Sequence, residues 1–126
     1  MRPRTGLLGL SLFALALTLA IPASAAVDES LSRKDIQMVA PALDKYTQNR
    51  LLGEVWKRPG LSLRDRSVVT VAALIGRNQM IALSEHLKLA LDHGVKPAEL
   101  SEIITHLAFY SGWANAISAI AIAKDV

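Results

Sequence analysis

At 126 residues, with 14 basic and 11 acidic side chains and a net charge of +3, the chain has room for one small domain. It contains no cysteine, which excludes disulfide staples and every form of thiol chemistry. Apolar residues make up 52% and charged ones 20%, which excludes a disordered, highly charged chain.

The N-terminus carries Arg2 and Arg4, then an uncharged apolar run from Leu7 to Ile21, then Pro22 and Ala23-Ser24-Ala25. Basic, apolar and small residues in that order predict a Sec-type signal peptide over residues 1–25, cleaved after Ala25. The apolar run is shorter than the roughly 20 residues of a membrane-spanning helix. Retained, it would be an anchor instead. Pro3 separates the two arginines, so there is no twin-arginine pair. The expected mature domain is 26–126, in the periplasm or outside the cell, with no membrane contact after cleavage. Cleavage removes two basic residues and no acidic one, taking the net charge from +3 to +1. The basic character therefore gives no reason to expect a nucleic-acid partner. A domain this small without disulfides is often completed by partners, which makes homo-oligomerisation plausible.

The rest reads as helices joined by short turns. Ser32 and Asp35 resemble a capping box, and Ile36 and Val39 begin an apolar face. Pro41 starts a new helix at its first position, carrying Leu43, Tyr46 and Arg50 towards Trp56. Lys57 to Gly60 forms a turn. Ser62 and Asp65 give a second capping signal. The run Val68 to Ile75 has enough β-branched residues for a strand, but the cap and Ala72-Ala73-Leu74 favour a helix. Being apolar nearly all round, it reads as a central or interface helix. Met80, Leu83, Leu87, Ala90 and Leu91 recur at helical spacing, and Gly94 stops that helix. Pro97 opens the next, with Leu100, Ile103, Ile104 and Leu107 as its stripe. Gly112 bends or ends it, and Trp113 onward is a final helix of small residues. The expected class is all-α, a compact single-domain bundle of about five or six helices.

His86 and His106 each fall roughly 90° from the centre of their helix's apolar stripe, at the border of core and solvent. A border histidine either faces a pocket or bonds a nearby carboxylate, as His106 could bond Glu102 one turn away. His93, beside Gly94, reads as a helix-end cation. The sequence has no HxxH, HxxxH or HExxH spacing, so no metal site is assigned, although two histidines with Glu54 or Glu85 could supply ligands. No glycine-rich phosphate loop or GxSxG elbow occurs. Arg58, Arg64 and Arg66 cluster at a helix start. They form either a solvated turn or a corner that binds a carboxylate.

Two stretches carry a resemblance. "GEVWKRPGLSLRDRSVVTVAALI" (53–75) and "HLKLALDHGVKPAELSEIITHLAFYSGWANA" (86–116) resemble the carboxymuconolactone decarboxylase family, over nearly all of the chain from Ile36 onward. The W-x-R-P-G-L, R-D-R-S and H-L-A-F-Y-x-G-W elements are specific in combination. The resemblance implies an all-helical fold shared with the alkyl hydroperoxidase D proteins, assembled as a trimer or hexamer. The redox branch of that family carries C-x-x-C-x-x-x-H. Aligned on His86, its cysteines would fall at Gln79 and Ala82, so peroxiredoxin-type activity is excluded here.

The other branch decarboxylates γ-carboxymuconolactone, in aromatic-acid breakdown, without a cofactor. Such an enzyme must hold a carboxylate, stabilise a dienolate oxygen and return a proton. On that reading Arg66 or Arg58 suits the carboxylate. His86 and His106 are the candidates for acid and oxyanion donor, in one shared pocket with the Arg58–Arg66 turn. Tyr110 could donate a hydrogen bond, Trp56 and Trp113 could wall the pocket, and Glu54 could orient a histidine. The family's pathway enzymes work in the cytoplasm, whereas the leader implies export, so the substrate is expected to be another small carboxylated lactone or acid. A non-catalytic oligomer binding small acids is the alternative, and a metal-assisted enzyme the third reading.

Overall fold

The computed structural model describes residues 32–126. The signal-peptide and cleavage expectations concern residues outside that range. Among the described residues there is no strand, and the helices run in chain order. These are α1 (Arg33–Val39), α2 (Pro41–Tyr46), α3 (Leu63–Gly76), α4 (Met80–Asp92), α5 (Pro97–Tyr110) and α6 (Trp113–Ala123). A π-helical turn over Thr47–Leu52 and a 3-10 turn over Val55–Lys57 lie between α2 and α3. The all-α class and the helix count agree with the sequence.

Each boundary has a local cause. Asp35 N–H donates to Ser32 Oγ at 3.3 Å, and Ser32 N–H donates to Asp35 Oδ2 at 2.9 Å. That is a reciprocal cap built with aspartate. Asp65 N–H donates to Ser62 Oγ at 3.0 Å to start α3. Proline opens both α2 and α5, where its missing N–H is not needed. Gly94 (φ 88°) and Gly112 (φ 104°) end α4 and α5 in a region that side chains with a Cβ rarely enter. The helix expected to run unbroken from Pro41 towards Trp56 instead widens after Tyr46. Thr47 Oγ1 donates back to the Leu43 carbonyl at 2.9 Å there, and such back-bonding bends helices.

α3 is the central helix, packed against α4, α5, α6 and the 3-10 turn. Its inner stripe is Ser67, Val71 and Ile75, spaced four apart. α4 contributes Leu83, Leu87 and Ala90, α5 contributes Leu100 and Ile104, and α6 contributes Ala116 and Ala119. Burying each leucine side chain stabilises the fold by about 1.5–3 kcal/mol. The small residues of α6 permit its close approach to α4 and α5. No helix of the described residues is long and apolar enough to cross a membrane.

α1 is tied to α2 by charge rather than by apolar packing, since none of its residues is buried. Asp44 accepts from Arg33 Nε at 2.9 Å and from Gln37 Nε2 at 3.0 Å. Arg33 and Gln37 hold its carboxyl below the ordinary carboxylate range. A lowered folded pKa gives stability that is present above the unfolded value and lost as pH falls through the folded one. In urea unfolding, the stability gap between wild type and Asp44→Asn should therefore be widest near neutral pH and close as pH drops below about 4. A gap that stays constant down to pH 2 would refute the ion-pair account.

Candidate functional site

His86 lies on α4 and His93 caps its C-terminus seven residues on, about two helical turns, so the two share one face. The indole of Trp56 lies against both. Its centroid is 6.3 Å from that of His86, with ring planes 21° apart, and 5.8 Å from that of His93, with planes 42° apart. Trp56 sits in the 3-10 turn and is only 9% exposed, so this contact is how the turn joins the bundle. Both histidines are half-buried. Burial pushes the His86 pKa down, against a smaller upward pull from the Glu85 carboxylate. His86 is therefore neutral at pH 7 and can donate one N–H or accept at its other nitrogen.

The N-terminal turn of α3 completes the group. Arg66 Nη2 donates to the Arg58 carbonyl at 2.7 Å, tying α3 to the turn that carries Trp56. Its Nε is buried and has no hydrogen-bond partner. A buried guanidinium N–H without an acceptor costs free energy, and an anion beside it would recover that cost. Ser67, the next residue, is buried with 1% exposure. Its Oγ donates to the Leu63 carbonyl at 3.0 Å and lies 2.8 Å from His93 Nδ1. Arg58 contributes its carbonyl while its side chain is exposed. Arg64 points to other work, pairing with Glu99 of α5 and lying 3.7 Å from Asp65.

His106 stands in a second place. Its ring stacks on Tyr110, centroids 4.6 Å apart with planes at 25°. It lines a groove of about 440 Å³ with Val68, Ala72, Glu102, Ile103 and Leu107. The lining does not include Trp56, His86 or Arg66. Within one chain, therefore, α3 separates His86 from His106: Ser67 faces His93 at the end of α4, while Val68 and Ala72 face α5. No hydrogen bond joins Glu102 to His106. Trp113 packs edge-on to Phe109 at 6.0 Å, and both rings are exposed, as is Tyr110. Glu54 takes Arg50 as its partner at 2.6 Å and bonds no histidine. No three His, Asp or Glu side chains of the described residues converge as metal ligands.

Two residues of the first group, Ser67 and His93, were not expected from the sequence as site residues. The signals were present. Ser67 falls on the stripe of Val71 and Ile75, and a polar residue at a core position needs a partner. His93 shares a face with His86 by its spacing of seven, which its position at a helix end obscures.

Comparison with known proteins adds an independent line. Residues 41–125 match the model of the Carboxymuconolactone decarboxylase family. The 4-carboxymuconolactone decarboxylase of Acinetobacter baylyi is 39% identical over 74 residues, covering 59% of this chain and 55% of that protein. The nitrosuccinic acid decarboxylase of Metarhizium robertsii is 35% identical over 72 residues, covering 57% of this chain and 50% of that protein. The chain thus spans about half the length of these curated relatives.

Proposed function

We propose a carboxy-lyase function for this chain, which belongs to the carboxymuconolactone decarboxylase family. The substrate class is a small carboxylated lactone or a related acid. Both relatives are named as decarboxylases of small organic acids. The observation that carries the reading is the buried, unpartnered Nε of Arg66, whose chain neighbour Ser67 touches His93 of the Trp56–His86–His93 group. It supplies a positive N–H donor with no acceptor of its own. Loss of CO₂ breaks a carbon–carbon bond and leaves an electron pair, which delocalises into the lactone carbonyl. Arg66 serves best on a carboxylate that stays, because an ion pair with the leaving one would stabilise it against loss. A neutral His86 can donate to the carbonyl oxygen as charge develops there. Trp56 excludes water from that side.

His106 and Tyr110 belong to the proposal through assembly. Phe109, Tyr110, Trp113, Ile117 and Ile120 are exposed together on α5 and α6, an apolar surface of the kind that marks a partner site. We propose that it meets other copies of this chain in a trimer or hexamer. Export to the periplasm or beyond is likewise proposed, from the basic, apolar and small-residue order of residues 1–25.

The test is ultraviolet detection of lactone turnover, with CO₂ release measured in parallel, by the purified protein against a panel of small carboxylated lactones and dicarboxylic acids. Turnover that Arg66→Met lowers at least tenfold is the expected result. Saturable acid binding without CO₂ release would replace the enzyme reading with that of an acid-binding protein.

A further inference from the structure

The Ser67–His93 contact has a direction, and the direction assigns a role. Ser67 Oγ carries one proton. Its contact with the Leu63 carbonyl, 3.0 Å, is a hydrogen bond only if the hydroxyl donates, because a carbonyl oxygen has no proton to give. The proton thus committed, the 2.8 Å contact with His93 Nδ1 is a hydrogen bond only if Nδ1–H donates to Oγ. This order is the reverse of a nucleophilic serine, whose hydroxyl must donate to the imidazole. Ser67 is also sealed from solvent, with 1% exposure. The serine is therefore no nucleophile. Its effect is to fix which nitrogen of His93 holds the ring proton.

We propose that Ser67 is a positioning residue that locks His93 in its Nδ1–H form, so that Nε2 is the proton-transfer atom of the site. This rests on the decarboxylase reading above. Among the described residues Nε2 makes no hydrogen bond, and the ring is only half-buried. The ring lies against the same indole as His86, so both imidazoles meet at one side chain. The step balances simply. With a proton from solvent on Nε2, His93 is a cation that still donates through Nδ1 to Ser67. Decarboxylation leaves a carbanion delocalised as the dienolate. Nε2–H passes its proton to a carbon of the dienolate, the new C–H bond takes up the electron pair that CO₂ left behind, and His93 returns neutral and is reprotonated by water. His86, held neutral by burial, stays on the carbonyl oxygen and is left out of the proton transfer. The two histidines thus divide the work.

The chain has three histidines, so ring-nitrogen NMR resolves them all. The experiment is a two-bond proton–nitrogen correlation on the full-length protein labelled at histidine ring nitrogens, at a pH where His93 is neutral. The expected spectrum shows His93 with a protonated Nδ1 and a bare Nε2, and Ser67→Ala brings in the Nε2–H form. A wild-type His93 protonated at Nε2 would overturn the lock. Alongside it, His93→Gln should lower kcat about 100-fold or more with KM little changed, and Ser67→Ala should lower kcat by a smaller factor. Circular dichroism confirms that the variants fold. Undiminished kcat in folded His93→Gln would overturn the proton-transfer role while leaving the decarboxylase reading standing. Failure of the wild type to release CO₂ from any acid would sink that reading and, with it, the proton-transfer role, while the spectrum still decides the tautomer.

Discussion

His86→Ala lowers kcat/KM for decarboxylation by about 100- to 10,000-fold, the range expected when a donor to a developing oxyanion is lost. The size follows from where charge moves. In the bound acid the charge sits on two carboxylate oxygens. In the transition state it spreads towards the carbonyl oxygen, which a fixed N–H can meet without reorganising. Alanine leaves a small apolar gap against Trp56 and no donor. The same ring predicts a pH signature. Burial lowers the His86 pKa, so the neutral form prevails at pH 7 and the ring gains a proton only below the ordinary histidine value of 6.5. If the neutral ring is the working form, kcat/KM falls on the acid side, and its midpoint lies below 6.5. The variant loses that limb along with the rate. A folded His86→Ala protein with wild-type kcat/KM would remove this histidine from the reaction.

How much of this was legible in the sequence depends on the range over which each signal acts. Caps and helix stops act over three or four residues. Ser32 with Asp35, Ser62 with Asp65, Gly94 and Pro97 were therefore readable, and with them the all-α class. The apolar stripes of α4 and α5 were readable because a helix repeats its faces. What was not readable is which faces meet. His86 and His106 have the same border position on their own helices, and periodicity treats them alike. Only the placement of α3 between α4 and α5 parts them, sending one to Trp56 and the other to Tyr110. The same limit hid Ser67 and His93. Their contact spans 26 residues of chain, and the local bond of Ser67 to the Leu63 carbonyl does not announce it. Glu54 shows the converse. It is near Trp56 in sequence, yet a short-range competitor, Arg50 one turn away, claims its carboxylate. The widening after Tyr46 is of the same kind, since Pro41 predicts where a helix begins and says nothing of the turn at Thr47.

Trp56 is where packing and chemistry meet, so its removal should be the most costly single change. Trp56→Ala is expected to destabilise the protein by about 3–5 kcal/mol, the usual loss for a buried large aromatic. Each kcal/mol lowers Tm by about 4–8 °C in a domain of this size. The mechanism is specific. The turn over Val55–Lys57 has one buried side chain, Trp56, and is otherwise held by the Arg66 bond to the Arg58 carbonyl. Without the indole, the turn loses its anchor on α4, and His86 and His93 lose the surface that shields them. Water then reaches His86, and the desolvation that lowers its pKa weakens. Titration of the folded variant by NMR should show that pKa rising back towards 6.5. Trp56→Phe keeps part of the aromatic wall and should give a smaller loss of Tm and a smaller rise. The two readouts are coupled through one side chain, and that coupling is the test. A Trp56→Ala protein that melts within a degree of wild type, or that melts early with His86 titrating unchanged, would show that the indole does not set the environment of this histidine.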